Sequence, residues 1–372
     1  MKRIVFLDHL RVIAIFMVLV VHSCEPFYFG DGGCFHIQTL SNARWLVALD
    51  SAVRACVPLF VMASAYLLFP LTRPTGEFFR RRLLRVGLPF VLWCCVYNWW
   101  NHGNWWQMLF NFPAATGGHL WFVPMLFGLY LLMPLLSPWA EKVTEKELRG
   151  WLIVWLVTTT LPYLRLAWGI LFADGWGHVC GVADFGAVPF LYGECAWNSF
   201  GTFHYVSGFV GYMLLGLYFR RFVAEGSWRE TLATAFPLAL TGWLAVAVPF
   251  YLRIANYGEV FPVTAPYAAA VDLETSWEFC STGVALTVFA YFLVIRKLTS
   301  DGRFYRWVIR PLADASYGVY LVHILILVPV MAYLSPRVGT GTAILGTAVV
   351  TFVLSSLAVM VVRLVPVLRR IV

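Results

Sequence analysis

Long apolar runs, separated by connections in which the basic residues gather, constrain this chain more than any other feature. An α-helix needs about 20 mostly apolar residues to cross the hydrocarbon core of a bilayer. Runs of that kind fall at roughly 5–24, 46–69, 85–101, 119–137, 150–166, 201–219, 232–252, 279–295, 312–334 and 341–364. In lipid every backbone N–H and C=O must be satisfied within the protein, so such runs form helices. The expectation is an all-α polytopic membrane protein of about ten transmembrane helices. Composition agrees: 60% of the 372 residues are hydrophobic and 12% charged, against about 25% charged in a soluble domain. Ten crossings and their connections account for the length, giving one transmembrane domain over 1–372 with no appended soluble domain. Pro89, Pro124, Pro134, Pro249 and Pro329 are expected to kink their helices, which neighbouring helices can tolerate.

Orientation follows from the basic residues, because cytoplasmic loops hold the excess of Lys and Arg. The N-terminus, the second, fourth, sixth and eighth connections, and the C-terminus hold 20 of the 27; the other connections hold only Arg44, Arg165, Arg253 and Arg337. Both termini are thus expected in the cytoplasm, with loops 70–84 and 296–310 inside and loops 167–200 and 253–276 outside. The net charge of +8 reads as this topology signal and as contact with membrane lipids, not as a nucleic-acid patch, which needs basic residues gathered on one solvated surface. Asp8 and Arg11 interrupt the first run and His22 stands where a cleaved signal needs a small residue, so that run is read as a retained helix. The outward loops carry Asp174, Asp184, Glu194, Glu259, Asp272 and Glu274 among aromatic residues, suited either to an acceptor site or to a lid. Cys180 and Cys195 share one of these loops, where a disulfide is chemically accessible. No Cys or His spacing suggests a metal site, and Cys56, Cys94, Cys95 and Cys280 read as small core residues.

Ionisable groups inside apolar runs cost several kcal/mol unless paired or facing a wet cavity, which makes them functional candidates. Arg11 and His22 are eleven residues apart. At about 100° per residue the second returns to the face of the first, roughly 16 Å further along. Asp8 lies on the same stripe and can pair with Arg11. The plain alternative is a snorkelling Arg and a hydrogen-bonded core His. His323 falls near the middle of the ninth run, where an imidazole relays a proton or simply packs. Asp50 and Arg54 are spaced i, i+4 for an ion pair that serves structure as readily as chemistry. Arg80-Arg81-Arg82-Leu83-Leu84-Arg85 opens the third run. There Arg82 and Arg85 are expected to share a helix face, able to hold phosphate oxygens or to rest on lipid headgroups.

These same residues resemble the acyltransferase-3 family of integral membrane O-acyltransferases. Arg11 to His22 is similar to its Arg, ten residues, His pattern, and Leu7-Asp8-His9-Leu10-Arg11 to its opening. Arg54-Ala55-Cys56-Val57-Pro58-Leu59-Phe60 resembles its second helix and Arg82-Leu83-Leu84-Arg85 its cytoplasmic Arg-x-x-Arg. His119-Leu120-Trp121-Phe122 resembles its fourth helix and Ser316 to His323 its late helix. Ser64-Ala65 departs from the family's common Ser-Gly. The resemblance implies transfer of an acyl group, usually acetyl, from cytoplasmic acyl-CoA to a hydroxyl of a cell-surface glycan or lipid-linked sugar, in a cell membrane of the bacterial plasma-membrane kind. It further implies catalytic roles for His22, Arg11, Asp8 and His323. Arg82, Arg85, Arg81 and Arg54 would hold the donor, and His119, Trp121 and Tyr320 the acceptor. The competing readings are a transporter or flippase, whose inverted repeats and paired broken helices are not visible, and a catalytically silent partner subunit.

Overall fold

A computed structural model describes residues 3–30, 34–110, 118–161, 163–164, 205–256, 263–269, 276–366 and 368–371. Cys180, Cys195 and the six outward-loop acids lie outside these residues, as does all of loop 167–200. The described chain is helical: α1 Val5–Cys24, α2 Leu40–Val53, α3 Cys56–Leu68, α4 Thr75–Arg82, α5 Leu88–Trp100, α6 Trp105–Phe110, α7 Phe122–Lys142, α8 Glu145–Thr158, α9 Val210–Arg221, α10 Trp228–Asn256, α11 Thr282–Arg296, α12 Arg310–Leu334 and α13 Thr340–Val362. The helices are joined by one small sheet that the apolar pattern does not announce. Strands β1 (Cys34–Ile37) and β2 (Val263–Ala269) pair antiparallel, with His36 opposite Thr264 and Ile37 opposite Val263.

Among the described residues seven segments are long and apolar enough to cross a membrane: Val5–Phe27, Leu40–Leu68, Thr75–Trp100, Gly118–Lys142, Trp228–Leu252, Tyr305–Leu334 and Thr340–Val362. These correspond to the first four, the seventh, the ninth and the tenth runs. The fifth, sixth and eighth runs are represented by the shorter helices α8, α9 and α11. The second run is not one helix, as its hydropathy suggests, but two. The chain turns at Arg54 and Ala55. Pro58 has no N–H to bond the Arg54 carbonyl four residues back, so the ladder breaks there and resumes with Leu59 N to Ala55 O at 3.0 Å. Helices do continue through Pro134, Pro249 and Pro329; Pro124 sits in the first turn of α7, where a missing N–H costs little, and Pro89 follows directly on a π-helical turn over Leu83–Gly87.

The first helix is the hub. It packs against α2, α3, α11, α12 and α13, and Leu10, Ala14, Ile15 and Leu19 on it are fully buried. Van der Waals packing of close backbones drives such association in lipid, and small residues mark the closest approaches. A Cβ on Gly242 would lie 2.6 Å from the Gly283 carbonyl oxygen, so α10 and α11 meet backbone to backbone. Likewise a Cβ on Gly216 of α9 would fall 3.0 Å from the Ala65 Cβ of α3. The methyl of Ala65 is thus accommodated by a glycine opposite it.

Candidate active site

The hub position of α1 determines what the bundle can enclose. A cavity of about 410 Å³ runs beside it, and both Arg11 and His22 face into it. The helical arithmetic therefore places the two correctly on one stripe. At the Arg11 end the cavity is lined also by Arg82, Tyr130, Asp314 and Tyr317; at the His22 end by Glu25, Arg54, His119, Trp121 and Phe279; and between them by Ser64, Ser316 and Tyr320.

At the His22 end, three imidazoles from three elements converge. His22 on α1 lies 5.1 Å, ring centre to ring centre, from His323 on α12 and 6.3 Å from His119 in the short 3₁₀ turn before α7, and His119 and His323 are 5.1 Å apart. Their hydrogen bonds assign the protons. Glu25 Oε1 accepts from His22 Nδ1 at 2.9 Å. A carboxylate can only accept, so Nδ1 carries a proton and, in the neutral imidazole, Nε2 carries the lone pair. His323 Nδ1 donates to the Tyr320 carbonyl at 2.6 Å, which leaves its Nε2 a buried lone pair without a partner among the described residues; His119 Nε2 is buried and unpartnered too. Tyr320 places the turn by donating from its hydroxyl to the His119 carbonyl at 2.8 Å. His323 itself is fully buried behind the cavity wall, so it touches His22 rather than the cavity space.

Glu25 is the residue that sequence reasoning missed. Its signal was visible as an acid three positions after His22, the spacing that meets across one helical turn.

Around this cluster Arg54 is held in a buried bidentate pair with Asp50, both contacts 2.8 Å. It reaches the Tyr28 hydroxyl at 3.3 Å and lies 4.5 Å from the Trp277 ring centre. Its place among the residues lining the His22 end separates it from Arg82, although the two were grouped from sequence as donor-holding. Trp121 stands partly exposed at this end, tilted against Phe279 at 5.6 Å and Phe209 at 6.0 Å.

At the other end Asp8 is central. It accepts from Arg3 Nε at 2.5 Å and the Tyr305 hydroxyl at 2.7 Å, and only distantly from Arg11 at 3.5 Å. The Asp8–Arg11 pairing expected from spacing thus exists but is the weakest of the three contacts, leaving Arg11 free to turn into the cavity. Arg82 enters from α4, its guanidinium 5.9 Å from the Tyr130 ring and its Nε buried without a partner among the described residues. Arg85 does not join it. Residues Leu83–Gly87 form a π-helical turn, wider than an α turn, which carries Arg85 off the Arg82 face to an exposed position outside the cavity lining. Arg81 is likewise outside, paired with Glu77 at 2.7 Å on the surface.

The match that decides the family covers almost everything just described. The acyltransferase-3 family model, an acyltransferase domain, aligns with residues 4–361. The chain belongs to the acyltransferase-3 family. Neither curated proteins nor solved structures give a significant match. Family membership and the long apolar helices together identify a multi-pass membrane acyltransferase.

Proposed function

We propose that this acyltransferase moves an acyl group, acetyl as the simplest case, from cytoplasmic acyl-CoA to a hydroxyl of a cell-surface glycan or lipid-linked sugar. The observation that carries the reading is the cavity itself, with guanidinium groups at one end and an oriented carboxylate–imidazole pair at the other. The cations suit a phosphate-bearing donor, and Trp121 offers a face on which a sugar can stack. In this mechanism His22 Nε2 takes the proton of the acceptor hydroxyl as its oxygen attacks the thioester carbonyl. The carbon–sulfur bond then breaks, and the proton passes from His22 to the departing thiolate, giving the ester and free coenzyme A. Glu25 fixes the tautomer and stabilises the transient imidazolium. An acyl-histidine route would use the same Nε2 as nucleophile.

In the same proposal α8, α9 and α11 complete about ten crossings, both termini are cytoplasmic and the His22 end faces outward in a cell membrane, as the distribution of 20 of 27 basic residues supports. Single-cysteine labelling of intact cells tests this. A cysteine at Ser335 should react with an impermeant thiol reagent and one at Ser300 should not; the reverse pattern would invert the assignment.

The donor end makes a sharper prediction than the sequence allowed. Arg82→Gln should raise the apparent KM for acyl-CoA by roughly tenfold or more, since a hydrogen bond to a charged group contributes about 1.5–3 kcal/mol, with kcat changed less because phosphate contacts bind ground and transition states alike. Arg85→Gln, exposed outside the cavity, should change KM by less than about threefold on the same scale. Equal effects of the two would remove the cavity as the donor path. The function as a whole is tested by protein-dependent release of coenzyme A from acetyl-CoA, together with NMR of envelope glycan O-acetyl content with and without the protein. No release with any hydroxylated acceptor would overturn it.

A further inference from the structure

A second, more open hollow of about 310 Å³ adjoins the Arg11 end of the cavity, lined by Arg306, Arg310, Pro311, Asp314, Met360 and Arg363. Asp314 lines both hollows, so one residue of α12 borders the two. Three guanidinium groups face one carboxylate here, and that carboxylate is already engaged. Arg3 donates to Asp314 Oδ1 at 2.9 Å and to Oδ2 at 3.3 Å. Arg363 Nη1 donates to the Asp314 backbone carbonyl, which pins its head group at the groove wall, and Arg306 Nε donates to the Asp301 carbonyl at 3.0 Å. The side chain of Arg310 is exposed along the floor. The groove is therefore a concentration of positive charge with planar donor forks held by backbone, a combination suited to phosphate oxygens.

We infer that this groove binds the 3′-phosphorylated adenosine end of the donor coenzyme A, while its diphosphate reaches toward Arg11 and Arg82 and the thioester arm enters the cavity. The inference rests on the acyl-CoA reading above. It gives Arg306, Arg310 and Arg363 the phosphate-holding role for which Arg81 and Arg85 are badly placed. A lipid headgroup presents the same phosphate chemistry, and the exposed Trp307 and Leu364 nearby would suit a bilayer interface. The shared Asp314 border with the cavity favours the nucleotide.

The test uses the full chain in nanodiscs of phosphatidylcholine alone, titrated calorimetrically with adenosine 3′,5′-bisphosphate, which cannot undergo acyl transfer. The expected result is binding by the wild type, weakened at least about tenfold in the Arg306→Gln/Arg310→Gln/Arg363→Gln variant. The wild type should prefer coenzyme A over dephospho-coenzyme A, and the variant should lose that preference. Because Arg363 also secures the end of α13, the Arg306→Gln/Arg310→Gln pair, both exposed, is measured alongside and should show the same direction. Unchanged bisphosphate affinity in both variants would overturn the site. So would a variant that loses only its retention of added phosphatidylglycerol, which would make the groove a lipid site, or equal competition by inorganic phosphate at the same concentration. Since the readout is binding, a wild type that binds the bisphosphate in this way but transfers no acyl group would count against the proposed function and leave the groove standing.

Discussion

Replacing His22 with Ala is expected to lower kcat by about 10² to 10⁴, the range for loss of a general base, while acyl-CoA binding stays within about twofold of wild type. The separation follows from position: His22 lies roughly 16 Å along α1 from Arg11, at the opposite end of the cavity from the cations assigned to the donor. Glu25→Gln should act in the same direction by a smaller factor. Its amide can still accept from Nδ1, but it loses the charge that stabilises the imidazolium and can also donate, allowing the wrong tautomer. His323→Ala should cost less than His22→Ala, because His323 reaches the cavity only through His22 and is tied to a backbone carbonyl. The measurement is coenzyme A release under saturating donor, with monodispersity and unfolding temperature checked for each variant. A well-folded His22→Ala protein that turns over at near wild-type rate would remove His22 from the chemistry and leave His323 or His119 to carry it.

How much of this was legible beforehand depends on the range of the interaction. Arg11 and His22 were placed together because both belong to one helix, and helical periodicity is a local property of the chain. The Asp50–Arg54 pair was legible for the same reason. What remained hidden was contact between elements distant in sequence. The approach of His22, His119 and His323 joins positions about 100 and 200 residues apart in the chain, which no spacing rule encodes. The failure at Arg85 has a different origin. An i, i+3 rule presumes an α-helix, and the π turn over Leu83–Gly87 changes the phase between Arg82 and Arg85. The split of the second apolar run at Arg54 was available in principle from Pro58, but hydropathy is blind to a missing N–H. The β1–β2 pair went unread because each strand lies in a connection between apolar runs and its partner is more than 200 residues away, a pairing that no local alternation encodes.

Asp50→Ala is expected to be among the most destabilising single changes in the described structure. Asp50 is fully buried and Arg54 only 4% exposed, and removing one partner of a buried ion pair leaves an uncompensated charge, at a cost of about 3–5 kcal/mol. In a thermal melt in detergent the loss should appear as a fall on the order of 10 °C. Asp50→Asn, which keeps an acceptor oxygen in place, should fall less. The double replacement Asp50→Leu/Arg54→Met then separates structure from function, since exchanging both charges for apolar groups of similar volume is often neutral. If Arg54 serves only to close the turn between α2 and α3, the double variant should regain most of the lost stability and transfer acyl groups normally. If the guanidinium also acts on bound substrate from its place beside His22, stability should return without activity. A melt of Asp50→Ala within about two degrees of wild type would show that the pair is neither a structural requirement nor as dry as its burial implies.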